Sequence, residues 1–133
     1  MRYLAIDYGN KRTGLAICDE GETIASPLQA LATGTNLIDK IVEVIKEQNV
    51  GAIVIGLPLN MDDSEGPAAK CIRRFGDKLK KHVDIPIHFH DERLSSFDAE
   101  QKLAGQMTRK KKKARIDAIA AATILQSFLD SKH

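Results

Sequence analysis

The chain has 133 residues, of which 43% are hydrophobic and 29% are charged, and its formal net charge is +2. This length predicts one domain over residues 1–133 that buries about two-thirds of its unfolded surface, and the composition excludes a disordered chain. No apolar run approaches the ~18 residues of a membrane-spanning helix, and no export signal precedes the first strand pattern. Cys18 and Cys71 lack the spacing of a metal motif or a disulfide framework, which predicts a reduced cytoplasmic protein.

The first part of the chain predicts three strands joined by short links. Residues 2–7 form an apolar run that ends in Asp7, residues 13–18 form a second strand, and residues 23–26 form a third that is closed by Pro27. Links this short imply antiparallel pairing, so the pattern predicts a three-stranded meander. Asp7 is then a carboxylate at a strand tip, followed by a glycine-bracketed turn that holds Lys11 and Arg12.

The rest of the chain alternates between helix and strand patterns. Apolar spacing predicts helices over 36–48 and 67–81, a strand buried on both faces over 51–56, and a last strand over 85–90. Ser95 or Ser96 is placed to cap a helix that ends at Leu103, and residues 116–129 form the final helix. The order predicts an α/β fold, a mixed sheet with helices on its faces.

The positive charge is concentrated in one segment. Residues 109–115 hold six of the 20 basic residues and no acid, which leaves 14 basic residues against 18 acidic ones elsewhere. A mildly acidic body with one cationic patch suits a polyanion such as nucleic acid, although a basic run is more often a solvated loop. The cations of this run are Arg109, Lys110, Lys111, Lys112, Lys113 and Arg115.

Three carboxylates have positions that suggest chemistry. Asp7 and Glu92 stand at or just after strand tips, where open α/β sheets bind ligands. Asp117 lies in the centre of the apolar stripe of the final helix, where an alanine or leucine is expected. Converging carboxylates repel one another unless a cation is present, and oxygen ligands favour Mg²⁺ or Mn²⁺ over zinc.

The expected spacing of the strand tips agrees with a pair of metal ions. If the first and last strands flank the 51–56 strand, their tips lie ~9–10 Å apart. Two ions ~4 Å apart, each with a carboxylate oxygen ~2.1 Å outward, span ~8 Å. Gly56, at the tip of the middle strand, leaves room for such a site.

Each of these residues also has a structural interpretation. A single acid at a strand end or a helix start is usually a cap or a dipole partner. Lys11 and Arg12 are placed to pair with Asp19 or Glu20 across the hairpin. His88 and His90 alternate on one strand face like metal ligands, but a half-buried strand histidine is commoner.

Four segments stand out together: LAIDYGNKRTGLAICD, VIGLPLNMDDSEGPAA, FHDERLSSFDAE and KKKKARIDAIAAATILQSFL. In this order they resemble the YqgF family of RNase H-like nucleases, whose members are labelled Holliday junction resolvases or pre-16S rRNA nucleases. The resemblance extends from Tyr3 to about Leu129. It implies an RNase H-like fold with a five-stranded mixed sheet of order 3-2-1-4-5 and helices on both faces. Two departures are that Asp63 replaces a glycine and Thr13 an isoleucine.

The resemblance also implies a role for each matched residue. Asp7, Glu92 and Asp117 match the acidic triad, which implies two-metal hydrolysis of a phosphodiester with Mg²⁺ or Mn²⁺. Lys11, Arg12 and Arg93 match basic positions of the same motifs and, with the 109–115 run, are expected to grip backbone phosphates.

The substrate is expected to be structured RNA or branched DNA. Processing of pre-16S rRNA ends is the first expectation, and resolution of four-way DNA junctions is the alternative. The protein is expected to be a monomer or a weak homodimer. A non-catalytic nucleic-acid-binding module on the same scaffold is a rival of another class. An actin-like ATPase is a further rival, but it needs two such domains, and the chain has no GxxxxGK[ST] loop.

Overall fold

The computed structural model describes the backbone of residues 1–94 and 109–132, and the side chains of the same residues except 109–115. Strands form where apolar residues alternate or follow one another directly, and helices form where they recur every three or four residues. The elements are β1 (Tyr3–Asp7), β2 (Arg12–Cys18), β3 (Ala25–Ala32), α1 (Leu37–Glu47), β4 (Ala52–Leu57), α2 (Pro67–Lys80), β5 (Ile87–Asp91), a 3-10 turn (Glu92–Leu94) and α3 (Arg109–Ser131).

The five strands form one mixed sheet of order β3-β2-β1-β4-β5. Strand β2 pairs antiparallel with β1 and β3, because the links between these strands are too short for a crossover. Strands β1, β4 and β5 run parallel, with α1 and α2 as the crossover helices. The predicted sheet order is therefore confirmed, and the carboxyl ends of the three parallel strands meet at one edge.

The third strand was predicted too short. It runs over Ala25–Ala32 and passes through Pro27, which pairs with Ala16 next to a register shift. A proline lacks an amide hydrogen and is excluded from central strands, but β3 has a neighbour on one side only. Its edge position therefore allows the strand to continue where the prediction ended it.

The final helix was also predicted too short. Helix α3 begins at Arg109 rather than at residue 116, so the basic run is helical and the solvated-loop interpretation is wrong. Lysine and arginine are good helix formers, and no glycine or proline interrupts residues 109–131. The predicted helix with a Ser95 or Ser96 cap and an end at Leu103 lies outside the described residues.

Each face of the sheet has its own core. Helices α1 and α2 cover the face that carries Leu4 and Ile6. Helix α3 covers the opposite face, where Tyr3 and Ala5 meet Leu125. Alternation along β1 places Asp7 on the α3 face, one residue beyond the apolar pattern. The expected helices on both faces are confirmed, and they enclose β4, which is buried throughout.

Two expectations about the environment of the chain can be compared with the structure. Cys18 and Cys71 are both free thiols. Within residues 1–94 and 109–132, no helix combines the length and apolar character that crossing a bilayer requires.

Candidate active site

Strand β1 ends with Asp7 at the carboxyl edge of the sheet, and the four residues of β1 before Asp7 are buried. Ile6 pairs with Ile55 of β4, and the next residue of β4, Gly56, pairs with His90 of β5. Gly56 therefore stands between the end of β1 and the end of β5. The side chain of Asp7 is half-buried at this position.

Glu92 reaches the same point from β5. It follows directly after the strand and starts the 3-10 turn, and its side chain lies over Gly56. A Cβ atom on Gly56 would come within 2.8 Å of Glu92 Oε1 and 2.6 Å of Ile124 Cδ1. The missing side chain of Gly56 is thus what admits the Glu92 carboxyl to this edge.

The Asp7 and Glu92 carboxyls are in hydrogen-bond contact. Burial raises the pKa of Glu92 above its usual range, and the charge of Asp91 raises it further, while the hydrogen bond with Asp7 lowers it. Two carboxyls in contact require a shared proton or a cation between them. The atoms that this carboxyl pair offers to a metal ion are hard oxygen ligands, so the pair fits Mg²⁺ or Mn²⁺.

Asp117 is brought alongside by the packing of α3 on β2. A Cβ atom on Gly14 would collide with the backbone carbonyl of Asp117, and Gly14 is the partner of Asp7 in the sheet register. The Asp117 carboxylate, however, accepts a hydrogen bond of 2.6 Å from Arg12 Nε and forms an ion pair with it. The backbone of Asp117 therefore lies at the site, while its charge is balanced by a cation of the chain.

The predicted triad is consequently brought together in part. Asp7 and Glu92 touch, and Asp117 lies one strand away with Arg12 as its partner. Among the side chains that the structure describes, no group of three or more His, Cys, Asp or Glu residues has the geometry of a metal site. The metal-ligand role of all three carboxylates stays a prediction.

Arg93 holds the loop that follows β4, and its predicted contact with phosphate stays a prediction. Its guanidinium donates to both Asp91 carboxylate oxygens, to Asp63 Oδ1 at 2.6 Å and to the Asn60 carbonyl at 2.8 Å. The hydrogen bonds from Arg93 lower the pKa of Asp91, which stays ionised at neutral pH. Asp63 adopts a left-handed backbone with φ of 68°, the conformation that a glycine accepts most readily.

A cavity of about 230 Å³ opens beside the carboxyl pair. Besides Asp7 and Glu92, its walls include three residues that sequence reasoning missed, Tyr8, Asn10 and Cys71. Tyr8 and Asn10 were available as neighbours of Asp7 in the first motif. Cys71 carried no signal, because its place at the site depends on how α2 packs against the end of β1.

The family of the chain follows from comparison with known proteins. The family model described as RuvX, Holliday junction resolvase, matches residues 1–131. The chain belongs to the RuvX family. The resemblance to the YqgF family is thereby confirmed, and the actin-like ATPase interpretation is not supported.

Curated relatives of this RuvX chain match over nearly their whole length. A protein of Anaeromyxobacter sp. (strain Fw109-5) is 43% identical, and the alignment covers 100% of this chain and 99% of the relative. A protein of Maridesulfovibrio salexigens is 42% identical, with 97% and 98% covered. Both carry the name "Putative pre-16S rRNA nuclease".

Solved structures support the fold. RuvC of T. thermophilus, in complex with a Holliday junction substrate, superposes with a TM-score of 0.62 at 14% identity, covering 99% of this chain and 96% of RuvC. The fowlpox virus Holliday junction resolvase gives a TM-score of 0.56 at 13% identity, covering 98% and 99%. At this level of identity the likeness establishes the RNase H-like fold of the RuvX chain.

The remaining predicted residues separate into surface and core positions. Lys11 is exposed, and the backbone of the 109–115 run forms the first two turns of α3. His88 and His90 both pack on Phe128, with ring centroids 5.6 and 5.7 Å apart from it. His90 is buried and hydrogen-bonds Ser127 Oγ at 2.9 Å. These histidines belong to the α3 interface, as their structural interpretation expected.

Replacing Arg93 with Ala is expected to lower kcat by about 10–100-fold, the cost of removing a group that positions the residue next to the predicted metal ligand Glu92. The reason is that Arg93 ties Asp91, the residue before Glu92, to the loop over residues 58–66. Hydrogen exchange in residues 58–66 should accelerate in the same variant. Lys46→Ala, which removes an exposed cation on α1, is the matched control and should leave both kcat and this exchange unchanged.

Asp63→Asn separates this holding role from a phosphate contact of Arg93. It breaks one ion pair of the loop but leaves the Arg93 cation in place. We expect it to accelerate exchange in residues 58–66. Unchanged exchange in both Arg93→Ala and Asp63→Asn would contradict the holding role.

Proposed function

We propose that this RuvX chain is a nuclease that hydrolyses phosphodiester bonds with the help of divalent cations, and that its substrate is precursor 16S rRNA. The observation that carries the proposal is the contact between Asp7 and Glu92 over Gly56, at the carboxyl edge of parallel strands. A half-buried carboxyl pair of this kind is unfavourable without a cation or a proton, which is typical of sites kept for function. The names of the curated relatives support the RNA substrate.

The three carboxylates are proposed to hold the cation site. Asp7 and Glu92 supply oxygen ligands from one side, and Asp117 supplies a third from α3, in a site for Mg²⁺ or Mn²⁺ that we infer takes two ions. A bound ion of this class lowers the pKa of a water molecule and stabilises charge on a scissile phosphate. The Asp117 carboxylate already balances one cation, the Arg12 guanidinium, so a metal ion could take the place of that guanidinium.

The basic residues are proposed to orient the phosphates. Arg12 lies at the site through its ion pair with Asp117, and Lys11 is exposed on the same turn. A metal ion held by Asp117 would leave the Arg12 guanidinium available for a backbone phosphate. The run from Arg109 to Arg115 adds six cations at the start of α3. If all six engage, log K should fall with log[salt] with a slope of up to about −5.

Resolution of four-way DNA junctions is the second candidate, favoured by the description of the family model. Junction resolution needs two symmetric cuts, and therefore two active sites related by a twofold axis. A monomer of this chain would cut one strand only. The two candidates can therefore be distinguished by the mass of the protein in solution and by the substrate that it cleaves.

The test compares two substrates under the same conditions. A 16S rRNA precursor fragment with extended ends and a four-way DNA junction are incubated with the chain in Mg²⁺, in Mn²⁺ and in EDTA, and the solution mass is measured. We expect trimming of the RNA that EDTA abolishes and added Mg²⁺ restores. Symmetric junction cleavage by a dimer would replace the RNA assignment. Binding of RNA without cleavage in either metal would support the non-catalytic module.

A further inference from the structure

A second cavity continues from the candidate active site. It has a volume of about 270 Å³ and lies between the start of α1 and the exposed side of α2. Tyr8 and Cys71 line both this cavity and the one that contains Asp7 and Glu92. The two cavities therefore adjoin at Tyr8 and Cys71, and together we call them the α2 groove.

The outer part of the α2 groove is positively charged. Arg74 and Lys78 line it, four residues apart on α2 and so about 6 Å apart along the helix axis. No acidic residue is among the lining residues, and neither cation forms an ion pair within the described part of the chain. Arg73, by contrast, is paired with Glu65. Two exposed cations in a row therefore follow the groove.

The inner wall of the groove is aromatic. Tyr8 stacks on Phe75, with ring centroids 4.5 Å apart and an angle of 28° between the ring planes. Phe75 is buried, so the stack holds Tyr8 in place at the junction of the two cavities. An aromatic edge beside a line of cations is the combination that binds a nucleic-acid strand without reading its sequence.

We propose that the α2 groove holds the nucleic-acid strand on one side of the scissile phosphate, with Arg74 and Lys78 contacting its backbone phosphates. This proposal rests on the proposed nuclease function and identifies a substrate subsite for it. The subsite is separate from the basic run of α3, which belongs to the other face of the sheet.

The first test measures binding apart from cleavage. Binding of a 16S precursor fragment is measured in the Asp7→Asn background. The test pair is Arg74→Gln/Lys78→Gln. The control pair is Lys46→Gln/Lys80→Gln, which removes two exposed cations outside both cavities. We expect Kd to rise on the order of tenfold for the first pair, and the log–log salt slope to shrink by about 1.5. The control pair should leave both nearly unchanged. Equal effects of the two pairs would overturn the subsite.

The second test uses Cys71 as a reporter of occupancy. Cys71 is half-buried and lines both cavities, whereas Cys18 is buried. A maleimide should label Cys71 of the Asp7→Asn protein, and saturating RNA should slow this labelling at least about tenfold, with Cys71→Ser as the labelling control. RNA that binds without protecting Cys71 would overturn the groove and leave the nuclease proposal standing. Absence of RNA binding in all variants would overturn both.

Discussion

Asp7→Asn is expected to abolish cleavage of the preferred substrate, with a loss in kcat of more than about 10²–10³-fold, the range for removal of one preorganised charge-stabilising group. Asp7 is the residue through which β1 meets Glu92 at the carboxyl edge of the sheet. An amide at this position keeps the shape of the side chain but removes the anionic oxygen that a divalent cation requires. The measurement is single-turnover cleavage at saturating Mg²⁺.

The same substitution should not unfold the protein. Burial and the charge of Asp91 raise the pKa of Glu92, whereas the hydrogen bond with Asp7 lowers it. An asparagine amide at position 7 keeps the shape of the side chain and can still donate a hydrogen bond to Glu92, so Tm should stay close to that of the wild type. Asp84→Asn, at an exposed position before the start of β5, is the matched control and should retain full activity. Robust cleavage by Asp7→Asn would contradict the assignment.

Gly14→Ala is expected to cause the largest loss of stability among the glycine substitutions at the site. A Cβ atom at this position meets the backbone of α3, at the carbonyl of Asp117. Backbone atoms cannot turn aside as a flexible side chain can, so α3 must shift away from β2. Overpacking of this kind costs about 1–3 kcal/mol or more, which corresponds to a fall in Tm of roughly 5–10 °C for a domain of this size.

Activity should fall together with stability in Gly14→Ala, because Gly14 is the sheet partner of Asp7 and the contact point of Asp117. Gly34→Ala is the control for stability. A Cβ atom there meets nothing within 4 Å, and its φ is not in the left-handed region, so the change should stay within about 0.5 kcal/mol. A Gly14→Ala protein with the Tm of the wild type would show that α3 does not depend on this close approach.

Local sequence pattern accounts for most of the sheet. Short links predicted the antiparallel pairs of β1 to β3, and the all-apolar run predicted a β4 that is buried on both faces. The order of the strands required the resemblance to the YqgF family as well. Local pattern was wrong at Pro27, because a proline ends a central strand but is tolerated in an edge strand. It was also wrong at the start of α3, where the basic run is part of the helix.

The candidate site could be predicted only as a set of residues. The three carboxylates were identified from their positions at strand tips and in an apolar helix stripe. The ion pairs at the site could not be predicted from the sequence. Arg12 and Asp117 are 105 positions apart, and Arg93 and Asp63 are 30 positions apart. Ion pairs across such separations depend on which elements pack together, and several charges nearby were equally available in the sequence.

The sequence by itself determined that an acid ends a buried strand, that glycines stand where other groups must approach, and that the positive charge is concentrated in one run. Only the tertiary structure decided which groups these features meet. Packing of α3 on β2 at Gly14 sets Asp117 beside Arg12, and packing of α2 against the end of β1 joins Tyr8 and Cys71 into the α2 groove. The physical reason is that burial and close approach are properties of packed surfaces, which a one-dimensional pattern of residues constrains but does not specify.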